Sequence, residues 1–127
     1  MAHAEKVEME KIAEWHREFQ VWHYSVSHST LLLRSVRVDG FTTRIDVLFA
    51  GVELMRIKPV YSRIAVLRAS EEEKRARLLG ESEAVLGKHL FLIDGDNDYV
   101  VAGGFAWHED EGDHHTPSRF GPLRGTE

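Results

Sequence analysis

Residues 29–49, "STLLLRSVRVDGFTTRIDVLF", hold the choice on which the fold turns. Two runs rich in β-branched and aromatic residues, 29–38 and 42–49, flank Asp39-Gly40. Both central residues of a type I′ turn need positive φ, which Asp-Gly tolerates, so the stretch reads as a β-hairpin. With Asp39-Gly40 as a two-residue loop, Arg34 faces Ile45 and Leu32 faces Val47. One face of the hairpin then carries Leu32, Arg34, Val36, Val38, Ile45, Val47 and Phe49. Arg34 is the odd member of that face. An unpaired buried charge is costly, so its guanidinium is expected at the sheet's edge, or with its head in water and its stem on the core. The alternative is an arginine recruited to a carboxylate or an anionic ligand.

The preceding run, "FQVWHYSV" (19–26), joins this hairpin through a polar turn at 27–29. If that loop is His28-Ser29, then Trp22, Tyr24 and Val26 share a face with Leu31 and Leu33. Such a face is too apolar for water, because a half-solvated sheet normally alternates cleanly. It calls for a cover, either within the chain or from a second copy, which makes Trp22, Tyr24, Leu31 and Leu33 the candidate interface. Ser27, His28 and Ser29 could suggest a nucleophile and its base. Neighbouring strand residues point to opposite faces, however, and a serine nucleophile needs a base, a third group that orients the base, and oxyanion donors. No G-x-S-x-G elbow is present. Ser and Thr favour turns, so the cluster reads as a turn and no catalytic residue is assigned.

Outward from this core the period changes. Residues 4–18 place Met9, Ile12, Trp15 and Phe19 at three- and four-residue steps, the spacing of an amphipathic helix. "VELMRI" (52–57) and "SRIAVLRA" (62–69) read as further strands. "SEEE" (70–73) is a capping box that opens a helix over 70–80, closed by Gly80, with Gly87 ending the connection. "KHLFLI" and "YVVAGGFAW" form a hairpin over 88–107 around "DGDND" (94–98). Asp94, Asp96 and Asp98 alternate like the start of a calcium loop, but Tyr99 and Phe105 stand where that motif needs Gly and Glu. Gly103-Gly104 inside a strand pattern signals a bulge or a close backbone approach. Residues 108–127 lack periodicity and read as a polar tail, with Phe120 and Leu123 as its only evident anchors.

The expectation is therefore a single α+β domain over 1–107. It comprises a mostly antiparallel, twisted sheet or half-open barrel of about seven strands, an N-terminal helix, and one helix between strands five and six. The 127 residues suffice for one real core. There is no cysteine, so disulfide and thiolate chemistry are excluded. His108, His114 and His115 stand among acids without any zinc-ligand spacing, and neither a metal nor a cofactor is expected. The N-terminal "MAHAEKVEMEKIAEW" (1–15) has no secretory apolar stretch and no run spans a membrane, so a cytoplasmic location is expected.

The net charge of −5 is uneven: residues 19–69 carry +4 and the segments on either side are acidic. Trp22, Tyr24, Arg34, Arg37, Arg44 and Arg56 could form a single-stranded nucleic-acid platform, but the whole chain is acidic and no known motif is legible. A second possibility is a ligand-binding half-barrel or enzyme with Arg34 and His23 in its mouth. The leading expectation is a small protein-binding module, either a homodimer or an inhibitor- or immunity-like partner of another protein. Over residues 19–55 the W-x-Y-x-V-S-H-x-x-L-L-L-R-S pattern, followed by "IDV" and "GV", resembles a group of small bacterial proteins of unassigned function. That resemblance implies a bacterial origin, is consistent with an antiparallel sheet, and supplies no activity.

Overall fold

A computed structural model describes residues 9–36, 41–93, 97–112, 116 and 118–120. The expected features at residues 4–8, Arg37, Val38, Asp39-Gly40, Asp94, Asp96, His114, His115 and Leu123 lie outside them. The strands are β1 (Met9–Trp15), β2 (Phe19–Ser25), β3 (Thr30–Ser35), β4 (Arg44–Ala50), β5 (Leu54–Arg56), β6 (Val60–Tyr61), β7 (Ile64–Ala69), β8 (His89–Ile93), β9 (Asp98–Ala102) and β10 (Gly104–Asp110). Two short helices, α1 (Glu71–Arg77) and α2 (Glu83–Leu86), separate β7 from β8. The fold is thus α+β and antiparallel as expected, but its strands form two five-stranded sheets. The first sheet has the order β1-β7-β8-β9-β5, the second β10-β4-β3-β2-β6.

The chain changes sheets at β1–β2, β4–β5, β5–β6, β6–β7 and β9–β10. Because β4 pairs with β10 while β5 pairs with β9, these four strands form one bent ribbon shared by both sheets. β1–β2 and β7–β6 form the other. Such sheet-switching strands make the corners of a two-sheet sandwich. At the first corner Gly103 donates its N–H to Ala50 O at 2.9 Å and Gly51 adopts φ +67°. This is the close backbone approach signalled by the glycine pair.

The register of β3 on β4 differs from the hairpin expectation by one residue. Leu31 pairs with Phe49, Leu33 with Val47, Arg34 with Asp46 and Ser35 with Ile45. An odd number of residues, nine, separates Ser35 from Ile45, which a two-residue loop cannot provide. A one-residue slip exchanges the faces completely. Leu31, Leu33, Ile45, Val47 and Phe49 therefore point into the space between the sheets, each at most 1% exposed. They meet Ile64, Val66, Phe91, Ile93 and Val100 of the first sheet. Each such side chain contributes about 1.5–3 kcal/mol on burial. The cover demanded by Leu31 and Leu33 is the protein's own first sheet.

The N-terminal helix expected over 4–18 is, in its described part, the strand β1. A bulge between Lys11 and Ala13 inserts one residue into its ladder with β7. Ile12, Ala13 and Trp15 consequently turn toward the inter-sheet core, while Met9 packs on the cluster at the other side. A bulged strand feeding two cores reproduces the three-residue steps of a helix.

The outer face of the first sheet carries Leu90, Leu92 and Val101, covered by Leu78 and Val85 of the helical pair. Ser70 caps α1 as expected, accepting the Glu73 N–H at 3.0 Å. Lys74 is buried, yet its ammonium donates to Leu86 O at 2.6 Å and Lys88 O at 2.9 Å and thereby caps the end of α2. Among the described residues no helix is long and apolar enough to cross a membrane.

Candidate functional site: the outer face of the second sheet

The one-residue slip that buries Leu31 and Leu33 turns Arg34 outward. It does not lie at an edge or in water: β3 is the central strand of its sheet and Arg34 is 3% exposed. Its partner sits directly across the ladder. Arg34 Nε donates to Asp46 Oδ1 at 2.7 Å and Nη2 to Oδ2 at 3.0 Å, a bidentate fork. The arginine is recruited to a carboxylate, and that carboxylate belongs to the chain itself.

Above this pair stands Trp22. β2 is bulged between Val21 and His23, and Trp22 is the extra residue. The bulge lifts it out of the ladder, so that its ring lies 4.7 Å from the Arg34 guanidinium carbon in a cation–π contact. It remains 37% exposed. His23 pairs with Leu32 and so shares this outer face with Arg34, while Val60 opposite Gln20 adds a further exposed apolar side chain. Tyr24 pairs with Leu31 and packs toward the core. Of the expected interface residues, Trp22 alone faces outward from the sandwich.

Two more arginines tie down the same end of the sheet. Arg44 forks onto Asp110 at 3.0 and 2.8 Å and donates to Thr116 O at 2.6 Å. The hydrogen bonds from Arg44 hold the Asp110 carboxyl below the usual carboxylate range; burial opposes this, while the Gly112 N–H assists. Arg17, at the β1–β2 corner, donates to Ser35 Oγ at 2.7 Å, Thr43 Oγ1 at 3.0 Å and Val36 O at 3.3 Å, and also to Thr43 O. Its guanidinium carbon lies 4.3 Å from the centre of the Phe41 ring. Burial lowers the Arg17 pKa, with the charge of Glu109 acting the other way.

A separate polar cluster surrounds Asp98, the last acid of the "DGDND" turn. Asp98 accepts from Tyr61 OH at 2.8 Å, Lys58 Nζ at 2.8 Å and Arg56 Nη1 at 3.1 Å. Burial by itself raises this carboxyl, but the donors and the positive charges of Lys58 and Arg56 outweigh it, and the net shift is downward. Asp98 thus fastens the β5–β6 connection onto β9. An open groove of about 420 Å³ lies on the first sheet's helical side, between Arg56, Arg77, Glu81, Asn97 and Tyr99. Its floor residues Leu78, Leu90 and Leu92 are already buried. Its two arginines are engaged as well, Arg77 with Glu73 at 2.5 Å and Arg56 with Asp98.

The serine-histidine turn is a four-residue loop, 26–29, closed by the Ser25–Thr30 pair, with Ser29 at φ +53°. In contrast to the expectation that neighbours point apart, Ser27 Oγ lies 3.0 Å from His28 Nδ1. Among the described residues no carboxylate orients the ring, and the pair is exposed, so the contact is local turn chemistry. The nucleic-acid platform is not assembled: Trp22, Arg34 and Arg44 lie on one outer face, Tyr24 on the inner face and Arg56 on the other sheet. Among the described residues no group of three or more His, Asp or Glu could hold a metal. No family model, curated protein or solved structure matches the chain.

Sequence reasoning missed Arg17, Asp46 and Asp98 as partners. Asp46 was within reach: with an odd loop, Arg34 and Asp46 fall opposite each other, and a buried Arg calls for such a neighbour.

Proposed function

We propose that this protein is a small binding module that acts through protein contacts, with a partner protein seated on the outer face of the second sheet around Trp22. One observation carries this reading. A bulge takes Trp22 out of its ladder, and the locked Arg34–Asp46 fork holds its ring half-exposed in one orientation. Bulges are commonly used to re-aim a side chain. A rigid aromatic whose orientation is set beforehand is the residue type that most often anchors an interface, because little side-chain freedom is lost on docking. Since Asp46 neutralises Arg34, the anchor presents a ring flanked by Val60 and His23 rather than a charge, which suits an apolar or aromatic partner surface. The filled space between the sheets supports the same reading over a ligand in a barrel mouth.

The test is affinity capture from native cells with the wild-type chain and Trp22→Glu in parallel, with circular dichroism to confirm that the variant is folded. A protein retained by the wild type and lost with Trp22→Glu is the expected result. Capture of the same set by both, with the variant folded, overturns the reading.

A further inference from the structure

Two five-stranded sheets have four edges, and three of them are blunted. β6 has two residues and follows Pro59. β5 has three residues. β1 is longer, but its bulge and its charges Glu10, Lys11 and Glu14 interrupt it. Short strands, prolines, bulges and charges are the devices that stop an edge from recruiting another strand. β10 has none of them along its central stretch. It runs seven residues, Gly104–Asp110, in unbroken register with β4, and contains no proline and no lysine. Among the described residues no strand pairs with its other side. At its middle Trp107 is 47% exposed.

We infer that β10 is a strand-addition edge and that its occupant is the β10 of a second copy, paired antiparallel about a two-fold axis at Trp107. The two second sheets then become one continuous sheet, and each copy uses the same surface. Charge placement argues for this occupant and orientation. Acid is concentrated at one end of β10, in Glu109 and Asp110, while the other end, Gly104-Phe105-Ala106, is uncharged. Antiparallel self-pairing sets Glu109 of one copy opposite Phe105 of the other, and Asp110 opposite Gly104. The two Asp110 residues are then about 20 Å apart and the two Glu109 residues about 14 Å, at 3.4 Å per residue, both beyond the screening length. Parallel addition would set the acids side by side, and like charges across a ladder destabilise. Both faces also match in this register: on the side of Val47 and Phe49 Trp107 meets its symmetry mate, and on the outer side, that of Asp46, Ala106 meets His108. This edge is separate from the Trp22 surface, and neither inference needs the other.

Light scattering and amide hydrogen exchange over a range of protein concentrations test it together. The expected result is a dimer at high concentration in which alternate β10 amides, those aimed away from β4, become protected and lose that protection on dilution. Trp107→Lys, which opposes two like charges across the two-fold, should weaken the dimer at least tenfold; if that variant does not fold, the exchange pattern of the wild type decides. A monomer at all concentrations overturns the inference, as does a dimer with unchanged β10 protection. A synthetic peptide of residues 104–110 that protects these amides while the protein itself stays monomeric would also overturn it, because the occupant is then a strand other than a second copy.

Discussion

The two sheets finish their outer faces in opposite ways. The first sheet presents Leu90, Leu92 and Val101 to the apolar side chains of the helices α1 and α2, with the buried Lys74 ammonium tied to backbone carbonyls beside them. The second presents Arg34–Asp46 and Arg44–Asp110, forked pairs laid on the strands with Trp22 above, and no described helix covers them. An apolar face needs a covering element but tolerates imprecise packing, since burial is non-directional. A face of buried ion pairs needs no helix, but each charge must keep its partner. The first sheet is therefore expected to be robust, and the second brittle and specific.

The largest effect should come from breaking one fork. Asp46→Ala leaves the Arg34 charge buried without its carboxylate, and a loss of about 3–5 kcal/mol in urea unfolding is expected. Replacing both partners with apolar residues of similar volume, Arg34→Met with Asp46→Leu, should cost far less. If the double variant is as unstable as Asp46→Ala, the second sheet is held by the pair's attraction and not merely by the need to match a buried charge.

On the opposite face, Leu92→Ala removes a side chain 1% exposed between the first sheet and the helices. A loss of about 2–4 kcal/mol is expected, for transfer and cavity together. Leu92→Met should cost less than about 1.5 kcal/mol. Urea midpoints compared with those of the Asp46 variants rank the two faces directly.

Acid should weaken both sheets, each through one paired carboxylate. Asp98 and Asp110 have folded pKa values below the ordinary carboxylate value of 3.8, so they bind fewer protons folded than unfolded. Their contribution is fully present above that value and is lost as the pH falls through the folded pKa values. The melting temperature should fall on acidification below about pH 4, and Asp110→Asn should flatten that limb. An unchanged acid limb in that variant would show that Asp110 takes no part in it.

The smallest effect belongs to the polar turn. Ser29 holds φ +53°, which costs a residue with a Cβ roughly 1–2 kcal/mol, partly offset when glycine adds chain entropy to the unfolded state. Ser29→Gly should therefore raise stability by about 0.5 kcal/mol, read from the denaturation midpoint.

Local chemistry alone determined a definite part of this protein. The alternating runs from Phe19 to Ala69, the capped helix after Ser70, a turn at 27–29 and the close approach at Gly103 all follow from propensity, capping and glycine geometry within a few residues. The tertiary structure decided the rest, because those decisions depend on residues far apart in the chain. A bulge opposite β7 made a strand of Met9–Trp15, whose spacing alone reads as a helix. An odd number of residues between Ser35 and Ile45 set which face of the hairpin is buried. That parity sent Leu31 and Leu33 inward against a sheet 30 to 70 residues further along, brought Arg34 against Asp46, and left Trp22 outside. Side-chain alternation is fixed along each strand, but its phase against a distant partner is set only when the ladders close.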